Sequence, residues 1–167
     1  MTPAQDEWTS EQLQFIVILI KISGVRIMTV KIITTDEELA EAYDIRKTVF
    51  VKEQHVPVEL EIDEFEQDAI HFLCSDNNQH IGASRLRIVD HFGKLERICV
   101  LKEARGNNYA KQLIDAMERE LTNQGITEAR LNAQTYIVPL YESVGYKVVS
   151  PEFMDANIPH VEMVKDL

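Results

Sequence analysis

The stretch LERICVLKEARGNNYAKQLIDAMERE, residues 95–120, constrains the fold of this chain more than any other. A strand-like apolar run through Leu101 leads into a polar turn, Lys102 to Gly106. An apolar stripe at Ala110, Leu113, Ile114, Met117 and Leu121 then repeats with helical period. Gly125 is a fitting stop for that helix. A strand that turns directly into a helix starting near Asn107 aims several unpaired N–H groups, and the positive end of the helix dipole, at one point. Such a junction is an anion cradle. Gly106 lets the backbone approach closely, Arg105 adds a cation at the rim, and Lys102 and Lys111 add positive charge nearby.

The remaining pattern surrounds this junction with more strand than helix. TVKIITT reads as a strand. DEELAEAYDIRKTVFVKEQ comes next as one helix, with Leu39, Ala42, Tyr43, Arg46, Val49 and Phe50 at helical spacing and Thr35 or Asp36 as its cap. HVPVELEIDEFEQDA reads as a loop or short irregular helix. IHFLCSD, QHIGASRLRIVD and GKLERICVL form an antiparallel meander broken by the polar turns NNQ and HFGK. After the long helix, ITEARLNAQ returns as a strand. Pro139 sits where the first turn of a second helix, VPLYESVG, tolerates it, and YKVVS and IPHVEMVKDL complete the sheet. The order β-α-(α)-β-β-β-α-β-α-β-β defines an α/β domain with a mixed, mostly antiparallel central sheet flanked by helices.

Residues 1–27 differ in character from the rest of the chain. They have neither a basic n-region nor a small-residue cleavage site, and their apolar run is too short to span a membrane. Met28 is a candidate start codon, and a sequence resembling a ribosome-binding site can encode Ser-Gly-Val just upstream. Residues 1–27 are therefore expected to be translated leader or, in the alternative, an extra strand at FIVILI, with the domain proper over 28–167.

With 17 Lys and Arg against 28 Asp and Glu, the formal charge is −11. That charge opposes nucleic acid and anionic membrane, and it suits cationic partners better. Cys74 and Cys99 lie far apart in apolar stretches with no metal-ligand spacing. They read as buried thiols of a cytoplasmic protein, and no metal is expected.

LERICVLKEARGNNYAKQLIDAMERE, followed by LNAQTYIVPLYESVGYKVV, resembles the acetyl-CoA-binding half of the GCN5-related N-acetyltransferase (GNAT) superfamily. IRKTVFVKEQHVP, DEFEQDAIHF, LNAQ, LYESVGY and IPHVEM are similar to its small bacterial ElaA-like branch, and the likeness covers Met28 to Leu167. The resemblance implies the GNAT fold and an acetyl-CoA-dependent N-acetyltransferase acting by direct attack of an amine in a ternary complex. The family loop reads Arg/Gln-x-x-Gly-x-Gly/Ala, and here Asn108 stands in the place of a family glycine. In a helical turn Asn108 needs no positive φ, so the expected cost is crowding alone.

The resemblance further implies that the strand carrying Ile98, Cys99 and Val100 splays from its neighbour, with a backbone N–H near Val100 as the oxyanion donor. Arg105, Gly106, Asn107, Asn108, Tyr109, Ala110 and Lys111 are expected to hold the pyrophosphate, and Gln134 the pantetheine or substrate. Tyr141 matches the tyrosine that protonates the departing thiolate in many relatives, and Glu96 is the candidate base. The segment 53–68 carries seven acids and no Lys or Arg. It reads either as a solvated acidic face or, with Arg46, Phe50, Glu53 and Asp63, as a wall that attracts a cationic amine. His71 and His160 are further candidates for substrate contact. The partner is a small-molecule or protein amine, and a homodimer is plausible from the apolar strand edges. The competing reading is a non-catalytic acyl-CoA-binding sensor or interaction module.

Overall fold

The computed structural model describes residues 27–167, and the leader and extra-strand readings fall outside the described residues. β1 (Met28–Ile32) leads to α1 (Asp36–Arg46). Thr35 caps α1, its hydroxyl accepting from the Glu38 N–H at 3.2 Å, and Asp36, Glu37 and Glu38 fill the first turn, where the helix dipole favours carboxylates. The helix expected to run on past Phe50 changes form at Arg46 and widens into a π-helix, Lys47–Glu53. It closes with the Gln54 N–H donating to the Val49 carbonyl, five residues back, at 3.1 Å. The wider turn keeps Val49 buried while carrying Glu53 and Gln54 across the sheet. A single turn, α2 (Val58–Glu61), comes after it.

The meander is present as β2 (Ile70–Asp76), β3 (Gln79–Val89) and β4 (Phe92–Val100). A 3-10 turn, Lys102–Ala104, leads to α3 (Tyr109–Asn123), and β5 (Glu128–Gln134) returns. After α4 (Val138–Glu142) come β6 (Lys147–Val148), β7 (Phe153–Asp155) and β8 (Ile158–Asp166). The sheet runs β1-β2-β3-β4-β5-β8-β6, with β7 also paired to β8. β7 was not expected. It closes on β8 through Ala156 and Asn157, both at positive φ (47° and 61°), the backbone of a tight hairpin turn.

Two apolar layers sandwich the sheet. Leu113, Ile114, Met117 and Leu121 of α3 pack on Leu86, Leu95, Leu131 and Met163, each buried side chain contributing about 1.5–3 kcal/mol. Ala42, Ile45 and Val49 cover Leu73, Ala83 and Cys99 on the other face. Gly93 lets α3 pack close to the sheet, since a Cβ there would stand 2.2 Å from Leu121 Cδ2.

Two irregularities in β4 place the cavity. Ala83 pairs with Cys99 and Arg85 with Glu96, so β4 carries one extra residue, and Arg97 takes φ 55°. β4 also lies parallel to β5 only at Gly93↔Ala129 and Lys94↔Arg130. Beyond those pairs the strands separate into a wedge.

Candidate functional site

The wedge opens into a cavity of about 710 Å³ bounded by the π-helix, the end of β4, the start of α3, the end of β5, α4 and the β7–β8 hairpin. At its mouth lies the turn read from the sequence as an anion cradle. Gly106 lies at φ 85° with open space where a Cβ would stand, and Asn108 is the N-cap of α3 in the left-handed region, φ 62°. The expectation that Asn108 needs no positive φ is corrected. The position demands it, and asparagine is among the non-glycine residues that accept it most readily. No side chain caps this helix, and its first residues, Asn108, Tyr109 and Ala110, line the cavity mouth. The Tyr109 hydroxyl donates to Asp76 Oδ2 at 2.6 Å, tying the start of α3 to the end of β2. An uncapped helix start, a glycine with free space above it and Lys111 on the wall fit a pyrophosphate group.

Inside the wedge, the Leu101 N–H donates to the Ile81 carbonyl at 2.9 Å. Strand alternation therefore turns the Val100 N–H to the opposite edge, toward the gap. Arg105 Nε donates to the Val100 carbonyl at 3.0 Å, and its two terminal nitrogens grip Glu53 at 2.6 and 2.8 Å. Gln134 Nε2 donates to Gln54 Oε1 at 2.8 Å. The end of the π-helix thus bridges both arms of the wedge. Tyr141, buried on α4, lines the cavity, and burial raises its phenol pKa so that the hydroxyl keeps its proton. Burial likewise pushes the Cys99 thiol up to about 12 and Cys74 up to about 11, so neither is a ready nucleophile near neutral pH.

The acidic segment divides: Glu53, Glu59, Glu64 and Asp68 are exposed, whereas Glu61, Asp63 and Glu66 turn inward onto arginines. Arg46, wholly buried, donates from Nε to Glu61 at 2.6 Å and from both terminal nitrogens to Glu66 at 2.7 and 2.8 Å. Arg85, also buried, binds Asp63 at 2.6 and 3.0 Å, Glu66 at 2.7 Å and Glu96 at 3.0 Å. Arg97 reaches the Leu60 carbonyl at 2.9 Å, Glu61 at 2.8 Å and Asp63 at 3.2 Å, anchoring the bulge of β4 to α2. Three of the seven acids are therefore committed to buried arginines.

Of the residues singled out from sequence, Phe50, Glu53, Asp63, Glu96, Ile98, Cys99, Val100, Arg105, Gly106, Asn108, Tyr109, Ala110, Lys111, Gln134, Tyr141 and His160 come together on the cavity wall. Asn107 lies in the cradle turn but off the lining, its amide donating to the Ala104 carbonyl at 2.9 Å. Arg46 and His71 do not reach the cavity. Arg46 is enclosed by its carboxylates, and His71 Nε2 donates to the Glu66 carbonyl at 2.8 Å, which makes both residues scaffold rather than substrate contacts. Glu96, expected as a base, is bound by Arg85 and by both Nε and Nη2 of Arg87 (2.8 and 2.9 Å). Burial would raise its pKa, but the Arg87 hydrogen bonds and the Arg85 charge outweigh it and hold the carboxyl below its usual range. Sequence reasoning missed Gln54, Leu60, Phe65, Asn132 and Tyr136 on the wall, which carry no motif of their own. Among the described residues, no group of three or more His, Cys, Asp or Glu side chains is arranged to hold a metal.

Comparison with known proteins fits this geometry. Residues 31–167 match the acetyltransferase (GNAT) domain family. The uncharacterized N-acetyltransferase YjcF of Bacillus subtilis (strain 168) is 45% identical over 140 residues, covering 83% of this chain and 100% of that protein. Among solved structures, Escherichia coli ElaA superposes with a TM-score of 0.74 at 23% identity, covering 84% of this chain and 99% of that one. A GNAT family acetyltransferase from Elizabethkingia anophelis with acetyl-CoA bound gives 0.67 at 14% identity, covering 84% and 98%. The last two likenesses speak for the fold alone. This chain belongs to the GNAT acetyltransferase family, whose members use acetyl-CoA as acyl donor.

Proposed function

We propose that this protein transfers the acetyl group of acetyl-CoA to a primary amine by direct attack within a ternary complex. The observation that carries this reading is the wedge itself. β4 and β5 part after Lys94 and Arg130, and the gap leads straight to the uncapped start of α3. In this reading the pyrophosphate rests on the N–H groups of Asn108, Tyr109 and Ala110, with Gly106 and Lys111 beside them. The pantetheine arm lies between the strands past Gln134, Ile98 and Cys99.

The Val100 N–H, at the free edge of β4, stabilises the oxyanion that forms as the amine adds to the thioester carbonyl. Collapse of that intermediate expels the thiolate, which takes the Tyr141 proton. A phenol with a raised pKa gives up its proton only to a base held in direct contact, so this step depends on close positioning of sulfur and hydroxyl. The raised pKa values of both cysteines support direct attack over an acyl-enzyme route. Because Asp63 and Glu96 are paired with arginines, the acceptor wall formed with Phe50 and Glu53 offers a neutralised surface rather than an acidic one. This favours acceptors that are not polycations.

The test is thiol release from acetyl-CoA across a panel of primary amines that includes polyamines, amino acids and peptides. Amine-dependent release, absent without acceptor, is the expected result. Binding of acetyl-CoA with no release for any amine would contradict it and leave a non-catalytic acyl-CoA-binding module.

A further inference from the structure

With Glu96 held by two arginines, the wedge still needs a group to take the proton from the attacking amine. We infer that His160 is that base, an inference that rests on the acetyl-transfer reading above. His160 lies near the start of β8, lines the cavity and is 8% exposed. Its Nδ1 stands 2.7 Å from the Ile158 carbonyl. A carbonyl only accepts, so Nδ1 carries the proton and Nε2 presents a lone pair. Among the described residues no hydrogen bond reaches Nε2.

Register fixes the direction of the ring. His160 is the cross-strand partner of Gln134, and paired residues share a sheet face. Gln134 reaches out to Gln54 at the end of the π-helix, so His160 projects onto that same side of the wedge. This is the face opposite α3, and an acceptor can approach it without crossing the cradle at the start of α3. Phe153, the partner of His160 on β7, stacks on the imidazole with ring centroids 6.0 Å apart and planes at 21°, holding it in place. The titratable groups on the elements around it are Asp155 on β7, Tyr136 beside Gln134, and Glu162 further along β8, which pairs with Arg130 at 3.6 Å.

The proton balance closes. As the amine nitrogen bonds to the thioester carbon it becomes cationic, and His160 Nε2 takes its proton. The C–S bond then breaks and the thiolate receives the Tyr141 proton. Solvent restores both side chains by carrying a proton from imidazolium to phenolate.

His160→Asn tests this, because an asparagine amide keeps a donor for the Ile158 carbonyl while removing Nε2. The expected result is a fall in kcat of about 10²-fold or more, as for loss of a general base. The acetyl-CoA dissociation constant should stay unchanged. The acid limb of the kcat profile should disappear. His160→Gln, which lacks the Nδ1 contact, should lose as much rate and more stability. A His160→Asn rate within about threefold of wild type, with the acid limb intact, would overturn the inference and leave His160 as packing. A wild type that binds acetyl-CoA yet releases no thiol with any amine would overturn the acetyl-transfer reading, and this inference with it.

Discussion

The two ends of the cavity handle polar groups in opposite ways. Under α2, Arg46, Arg85 and Arg97 saturate Glu61, Asp63, Glu66 and Glu96, so that charge is locked to charge in a low-exposure network. At the start of α3, polarity is left open. Backbone N–H groups lack a side-chain cap, and Gly106 has free space above it. The difference separates scaffold from site. Arginine and carboxylate side chains here fix the shape of the wedge, anchoring the β4 bulge through Arg97, while the start of α3 carries no side-chain cap.

The largest effect should come from breaking the saturated end. Arg46→Met leaves buried Glu61 to Arg97 alone and buried Glu66 to Arg85 alone, and should cost about 3–5 kcal/mol, read as a shift in urea unfolding. A loss below about 1 kcal/mol would mean that the network is no more than a surface pair in value. Acid should attack the same end. Burial raises the pKa values of Asp63, Glu66 and Glu96, but hydrogen bonds and charge from their arginines outweigh it and depress all three. Their stabilisation is therefore complete above the reference values, 3.8 for Asp and 4.5 for Glu, and is lost as pH falls through the depressed folded values. Glu61 works the other way, since burial raises its pKa despite Arg46 and Arg97. Unfolding midpoints should hold level from neutral pH to about 5 and then drop, and the drop should shrink in Arg46→Met.

The smallest effect is at the open end. Asn108→Gly relieves a left-handed residue of its Cβ and should leave acetyl-CoA affinity equal to, or up to about threefold better than, wild type by calorimetry. A large loss would mean that the Asn108 side chain itself contacts the ligand.

Legibility in the sequence divides along the same line. The junction from β4 through Gly106 into α3 was readable because strand, turn and helix each have a local signature within a few residues. The meander was readable from its polar turns. The arginine network was not, because its partners lie 15 to 22 residues apart for Arg46 and Arg85 with Glu61, Asp63 and Glu66, and no local period records which acid an arginine will meet. The acids of 53–68 were visible as a cluster, but the burial of Glu61 and Glu66 was not. The change to a π-helix after Arg46 was hidden because apolar spacing near 3.6 suits either helix over one turn. β7 was too short for alternation to mark, and only the Ala156-Asn157 turn betrays it. The φ of Asn108 was not legible because the helix begins at Tyr109, two residues later than the expected start near Asn107, which makes Asn108 the N-cap rather than part of the first turn.

Whether the open start of α3 holds a pyrophosphate can be read from calorimetric titrations of the wild-type protein with acetyl-CoA and with acetyl-pantetheine, which lacks that group. Acetyl-CoA should bind at least about 100-fold tighter, through charge-assisted hydrogen bonds to the helix N–H groups. Equal affinity for the two ligands would mean that the cradle at Gly106 and Asn108 holds no phosphate.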